Sequence, residues 1–216
     1  MVQSALAQVR TVGDDSVDAG RGPGQTAWYR FASQFCQGKT VLDAGCGLCS
    51  GLDILKQAAQ RAHGQDLDSR LKRDDVTIGG LENIPSKSFD VVVSMDVVEH
   101  VEDDKTFVQH LGRIAREKLF ITTPNWSVTR CTWPYHLREY TTQEFEDLLS
   151  PVGKVNLFKG NGPGTLVYPV KNHDAYMTMN RFKNFPPTDL ATRVFNKFLP
   201  RHARLHSHNA ALVEIY

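Results

Sequence analysis

The 216-residue chain has no stretch approaching the roughly 18 consecutive apolar residues that a membrane helix needs. Its longest hydrophobic runs are a few residues around Val91 to Val93 and Leu119 to Ile121, which excludes a membrane span. Met1 to Arg10 has neither a basic n-region nor a continuous apolar h-region, so no secretory signal is expected and the cytoplasm is the expected compartment. Cysteine is scarce: Cys36, Cys46, Cys49 and Cys131 do not make a disulfide scaffold and fit a reducing environment. Charge of one sign is lacking too. With 25 Lys+Arg against 24 Asp+Glu, the net charge of +1 gives no global case for nucleic acid and leaves only a local patch open. What remains, 41% apolar and 23% charged at this length, reads as one ordinary soluble globular domain.

Met1 to Gly24 is poor in large apolar groups and rich in glycine and aspartate, a composition that cannot bury enough surface to offset chain entropy. It is expected to be a flexible, lid-like arm ahead of a single domain over residues 25–216. Thr26 to Cys36 carries Trp28, Phe31, Ala32 and Phe35 at helical spacing, with Gly38 as a stop signal. From Thr40 the pattern alternates strand and helix. Val41-Leu42 enters a glycine-rich turn, and Leu52 to Ala62 reads as a helix. Val76 to Ile78, Phe89 to Ser94 and Leu119 to Thr123 read as strands, with Phe107, Leu111 and Ile114 on one face of an intervening helix. Thr141 followed by Glu144 is a capping box for a helix through Leu149. Lys154 to Phe158, Thr165 to Val170 and Ala210 to Tyr216 are further strand candidates, and Thr188 to Leu199 a helix. Such alternation implies a parallel sheet with helices on both faces.

The most informative stretch is Val41-Leu42-Asp43-Ala44-Gly45-Cys46-Gly47-Leu48-Cys49-Ser50-Gly51, a strand running through glycines into a helix. Glycines there allow positive φ and close approach of a ligand to the backbone. Ser50 occupies the third glycine position of the dinucleotide fingerprint, and the strand ends in an acid, Asp43, which would repel a pyrophosphate and attract a cation. Asp66 follows Gly47 by 19 residues, where a carboxylate at the end of a second strand accepts hydrogen bonds from ribose hydroxyls. Its other reading is a helix N-cap. Asp43 for an ammonium and Asp66 for a ribose describe S-adenosylmethionine better than NAD. Cys46-Gly-Leu-Cys49 also has the form of a redox or zinc pair, but it lacks further ligands at similar spacing and sits in a Gly-x-Gly ligand turn.

Taken in order, Val41 to Gly51, Gly64 to Asp66, Gly79 to Pro85 with Phe89 to His100, and Leu119 to Asn125 resemble a class I S-adenosylmethionine-dependent methyltransferase. The resemblance covers Thr26 to Leu149 and the final strand. It implies an α/β, Rossmann-like, seven-stranded, mostly parallel sheet with helices on both faces and an antiparallel last strand. It further implies that Asp43, Gly45 and Gly47 hold the methionine end of the cofactor and Asp66 the ribose, with Leu81 of the Gly80-Leu81-Glu82 loop at the adenine edge and Met95 nearby. Many relatives have Asp where this chain has Gly80, so backbone near Leu81 is expected to take over recognition of the adenine amino group.

Methyl transfer from a sulfonium needs a nucleophile held in line, and a base only where that nucleophile must lose a proton. Asp96, Glu99 and His100 are spaced i, i+3, i+4 and would share one face of a helix. One reading has Glu99 and His100 bracing the sheet edge. The sharper one is a divalent-metal site (Mg, Mn or Zn) of Asp96, Glu99, His100 and His136, because Asp-x-x-Glu-His resembles an element of ubiquinone-pathway O-methyltransferases and of small-RNA 2′-O-methyltransferases. Without a metal, His100 and His136 are the candidate catalytic bases. Trp126, Trp133 and Tyr135 either wall an acceptor pocket or pack a long loop, within acceptor-side elaborations at 126–140 and 160–208. From Lys171 to His208 there are seven Lys/Arg against two Asp, either a patch for an anionic acceptor or a solvated helix face. The expected function is O-methylation of a small hydroxylated acceptor such as a sugar, phenol or natural-product intermediate. An RNA ribose 2′-O-methyltransferase and a catalytically silent binding partner are the alternatives.

Overall fold

The structure, a computed structural model, describes residues 25–71 and 73–216; the arm read over Met1 to Gly24 lies outside the described residues. Three central strands organise it: β1 (Thr40–Ala44), β4 (Phe89–Met95) and β5 (Ala115–Pro124). Alternate residues of each face opposite sides of the sheet. Leu42, Ala44, Val92, Leu119 and Ile121 join one buried cluster, while Val41, Val91, Val93, Met95 and Phe120 join the other. Because both sides are apolar, helices cover both. Trp28, Tyr29 and Ala32 of α1 (Gln25–Ser33) and Leu52 and Leu55 of α2 (Ser50–Leu55) close one cluster. Leu111 and Ile114 of α3 (Asp104–Ile114) close the other with Phe145 and Leu149 of the later helix over residues 142–149.

Outward from β1 lie β2 (Arg61–Asp66) and β3 (Val76–Ile78). The rest of the chain forms α4 (Trp126–Thr129), α5 (Thr142–Leu149), β6 (Gly153–Gly160) and β7 (Val167–Pro169). It ends with α6 (His173–Asn184), α7 (Pro186–Phe198) and β8 (His208–Ile215). The strand order is β3-β2-β1-β4-β5-β8-β6-β7. The first five strands are parallel, and β8 runs antiparallel to both β5 and β6. Chain order reverses between β1 and β4, so the loops leaving their C-terminal ends diverge and open a crevice there.

The expected α/β architecture with an antiparallel last strand is present, with eight strands instead of seven. The extra strand is β7, a short edge strand paired antiparallel to β6, whose Pro169 sits where a missing N–H costs no ladder bond. The capping box of α5 is formed in both directions, Glu144 N–H to Thr141 Oγ1 at 3.2 Å and Thr141 N–H to Glu144 Oε2 at 2.8 Å. Two elements differ from expectation. The helix read over Leu52 to Ala62 stops at Leu55, and Ala62 instead pairs with Val41 in β2. Helix α6, capped by Asn172 accepting from Ala175 N–H at 3.0 Å, was not foreseen. Among the described residues, no helix is long and apolar enough to cross a membrane.

Gly51 lies where α2 meets α1, and a Cβ there would overlap the buried Tyr29 ring. Gly51→Ala is expected to lower unfolding stability by about 1–3 kcal/mol through overpacking, against the small gain in helix propensity, as read from denaturant titration.

Candidate functional site

β1 delivers the glycine turn to the crevice. Gly45 (φ +76°), Gly47 (φ +48°) and Cys49 (φ +66°) are left-handed, and a Cβ at Gly45 would overlap Val97 in the segment after β4. Asp66 stands at the C-terminal end of β2 and ties this turn together. Its Oδ2 accepts from Gly47 N–H at 2.7 Å and its Oδ1 from Asp68 N–H at 3.0 Å. Each carboxylate oxygen keeps a second lone pair, the requirement for receiving ribose hydroxyls beside the turn. Leu81 is buried in a 3₁₀ turn, with its carbonyl pinned by Arg113 Nη2 at 2.9 Å.

Two expected cofactor residues lie deeper than their sequence positions suggested. Asp43 is fully buried and accepts from the Tyr29 hydroxyl at 3.1 Å, which places its carboxylate as a counter-charge behind Tyr29 instead of on the open face of the turn. Met95 is 1% exposed within one of the two buried clusters, so its side chain belongs to the core. The Cys46 and Cys49 sulfurs are 3.7 Å apart, and burial raises both thiols' pKa values, as expected of small apolar fillers under a turn.

After β4 the chain does not form the α-helix that would put Asp96, Glu99 and His100 on one face. Asp96 adopts φ +50° and Val98–His100 is a single 3₁₀ turn, so Asp96 points elsewhere. Glu99, His100 and His136 do converge: each offers a ligand atom, all within 4.8 Å of one another. Glu99 is fully buried; its Oε2 accepts from Thr123 Oγ1 at 3.1 Å, while its Oε1 has no hydrogen-bond partner. Burial, together with the charge of Asp96, raises its pKa well above the ordinary carboxyl range. His100 Nδ1 lies 3.0 Å from the Tyr135 carbonyl, and His136 Nδ1 2.6 Å from Glu139 Oε1. With Nδ1–H donating in each ring, Nε2 is the lone-pair nitrogen, the orientation used in carboxylate–histidine–metal triads. One buried carboxylate oxygen and two imidazoles fit a borderline divalent cation and leave coordination positions open. Trp126, under the Arg130 guanidinium at 4.4 Å, and the half-exposed pair Trp133 and Tyr135 flank the same loop.

Asp96 has a different partner, which reading the sequence had not picked out. Its Oδ2 lies 3.5 Å from His208 Nε2 and accepts from Gln25 Nε2 at 3.0 Å, while its Oδ1 accepts from Thr122 Oγ1 at 2.7 Å. Burial alone would raise the pKa of Asp96, but the His208 charge and these hydrogen bonds outweigh it and bring it to about 2. Burial lowers the His208 pKa and Asp96 more than reverses this, so it is raised overall. His208 begins β8 opposite Pro124 of β5 and therefore stands at the same sheet edge as the glycine turn.

Residues 42–120 match the family model of a methyltransferase domain. A protein of Mycolicibacterium smegmatis named a "probable S-adenosylmethionine-dependent methyltransferase" is 34% identical over 142 residues, 58% of this chain and 55% of that one. Over the glycine turn and central strands the chain is thus similar to class I S-adenosylmethionine-dependent methyltransferases. It spans about half the length of that mycobacterial relative. A ubiquinone biosynthesis O-methyltransferase of Idiomarina loihiensis is 29% identical over 108 residues, 42% of this chain and 44% of that one. At the level of fold, a methyltransferase structure from Thermotoga maritima superposes with a TM-score of 0.61 at 12% identity, covering 93% of this chain and 97% of that one. The glycine turn, Asp43 and most of β1 to β5 lie within the stretch matched to the methyltransferase domain; His136 and His208 lie outside it.

Asp66→Ala is expected to weaken S-adenosylhomocysteine binding by about 1.5–3 kcal/mol by removing charge-assisted hydrogen bonds, measured by calorimetry on folded protein. Unchanged affinity would refute the ribose role. The Asp96–His208 pair gives a pH signature. A depressed carboxylate stabilises above its unfolded pKa of about 4, and a raised imidazole stabilises fully below its unfolded pKa of about 6.5, losing this as pH rises through the folded value. His208→Asn should therefore cost most stability near pH ~5 and less near pH ~8.5. Equal losses at both would show that the pair is not ionic.

Proposed function

We propose that this chain is a methyltransferase that uses S-adenosylmethionine to methylate an oxygen of a small hydroxylated acceptor, such as a sugar, phenol or natural-product intermediate. The reducing cytoplasm is its setting, in keeping with four unbridged cysteines. The observation that carries the reading is the meeting of Glu99, His100 and His136, with an unpartnered buried carboxylate oxygen, at the edge where the glycine turn lies. S-adenosylmethionine supplies an electrophilic sulfonium methyl group and leaves as the neutral thioether. Gly45 and Gly47 let backbone approach its amino-acid end, Asp43 sets a negative potential below the turn, and Asp66 receives the ribose hydroxyls.

Glu99, His100 and His136 would hold a divalent ion, which lowers the pKa of a coordinated hydroxyl. Two adjacent hydroxyls suit such a site because they chelate together. Glu139 and the Tyr135 carbonyl keep the two imidazoles in the required tautomer, and Thr123 orients the carboxylate. Trp133 and Tyr135 offer aromatic faces to the acceptor. The relationship to a ubiquinone-pathway O-methyltransferase supports oxygen as the nucleophile.

Stringently chelated protein assayed with a panel of catechols and sugar diols should lose activity and recover it with Mn²⁺. Glu99→Gln should keep S-adenosylhomocysteine binding while metal affinity falls at least about 10–100-fold. Equal activity with and without chelation would defeat the metal role and make His100 or His136 the base. A wild type that fails to bind S-adenosylmethionine would defeat the enzymatic reading itself.

A further inference from the structure

Helix α7 is built inside out. An amphipathic helix normally turns its apolar stripe to the core, and here the polar stripe is packed inward. Thr192 is its only buried residue, and Thr188, Asp189 and Asn196 of the same stripe are all bonded to the protein beneath. The Thr188 hydroxyl donates to the Phe182 carbonyl at 2.6 Å, and Asn196 exchanges bonds with both backbone groups of Leu205, at 2.8 and 3.2 Å. Asp189 pairs with Lys183, with Arg193 at 2.7 Å and with Arg130 at 3.4 Å. The opposite stripe, Leu190, Val194, Phe195 and Phe198, is 73%, 49%, 58% and 83% exposed. Phe182 and Phe185, just before the helix, are 54% and 57% exposed.

We propose that α7 lays this stripe on an anionic phospholipid surface, making the protein a peripheral membrane binder. Three observations select that occupant. On a helical wheel Lys197 borders one side of the apolar arc, beside Arg193, which also pairs with Asp189, and Arg201 follows the helix, the order in which cationic stems reach from the interface to headgroups. No acidic side chain of α7 joins them, because Asp189 is turned inward among its three cationic partners. The helix is also ordered in advance: Arg204 closes its C-terminal end by donating to the Lys197 and Leu199 carbonyls, both at 2.7 Å. A second copy of the chain would bring like charges together at this face. Met1 to Gly24 offers no aromatic residue and a single leucine to cover it.

The test is flotation of the full chain with vesicles of phosphatidylcholine, alone or mixed with phosphatidylglycerol. Binding is expected to the mixed vesicles, weakening with salt, and little to phosphatidylcholine alone. Phe195→Asp with Phe198→Asp should reduce partitioning at least about tenfold, and Lys197→Gln or Arg201→Gln about fivefold each. Thermal unfolding and S-adenosylhomocysteine binding should not change in these surface variants, which separates failure here from failure of the methyltransferase reading. Absence of wild-type binding to mixed vesicles, or equal binding by the double aspartate variant, would overturn the proposal. So would a solution dimer that the same variant dissociates while vesicles are ignored, since the occupant would then be a second copy.

Discussion

Burial of β1, β4 and β5 on both faces is the constraint from which the site follows. A one-residue slip of any of these strands would exchange its members between the two apolar clusters and strand large side chains on the wrong side. The register is therefore fixed, with Asp43 beside Val93 and Met95 beside Thr122. Fixing it sets the level at which each strand ends. The glycine turn, the Asp96 turn and Asn125 all leave the sheet at one edge, and the reversal of chain order between β1 and β4 keeps their loops apart.

At that edge two carboxylates three residues apart meet opposite fates. Asp96 is largely shielded from solvent but meets His208, Thr122 and Gln25, which hold its pKa down to about 2. Glu99 is more deeply buried and receives a single hydroxyl, so burial and the Asp96 charge favour its protonated form. A buried charge without compensation is costly, and the remedies are a proton or a cation. His100 and His136 each bring a potential ligand atom within 4.8 Å of the Glu99 carboxylate, so the donors for the second remedy stand beside it. Asp96, already compensated, contributes to that arrangement only through its field.

The parts legible in the sequence are those fixed by short-range pattern. Strand runs of Val, Leu and Ile, the glycines demanded by left-handed backbone at Gly45 and Gly47, and the Thr141–Glu144 box each carry their own signal within a few residues. The aspartate pairing was illegible because it is tertiary. Whether Asp96 continues into a helix or turns at φ +50° depends on Thr122, whose backbone carbonyl and hydroxyl both receive the Asp96 N–H, and on a histidine more than a hundred residues away. Thr165 to Val170 read as a strand, yet the count of seven came from the family pattern, which has no place for the edge strand β7. Helix α7 was legible as a helix. Which stripe faced inward was not, because spacing alone cannot reveal that Asp189 and Asn196 would find partners in Lys183, Arg130 and Leu205.

Asp189 also joins the two unusual surfaces of the molecule. Through Arg130 it reaches the loop after β5, since the same guanidinium donates to the Lys183 carbonyl at 2.6 Å and lies over Trp126 at 4.4 Å. That loop continues to Glu139, whose carboxylate accepts from the Thr129 hydroxyl and Cys131 N–H on one oxygen and orients His136 with the other. The support of α7 and the support of His136 thus meet through Arg130 and the loop after β5, on the inward face of the helix. Its outward face has no share in those contacts. Changes at Leu190, Val194, Phe195 or Phe198 alter what the surface can meet without touching the imidazoles. A change at Asp189 would loosen both at once. The division explains how a helix can keep its apolar residues in solvent and still be held in place: polar contacts underneath do for it what apolar packing does for α1, α3 and α5.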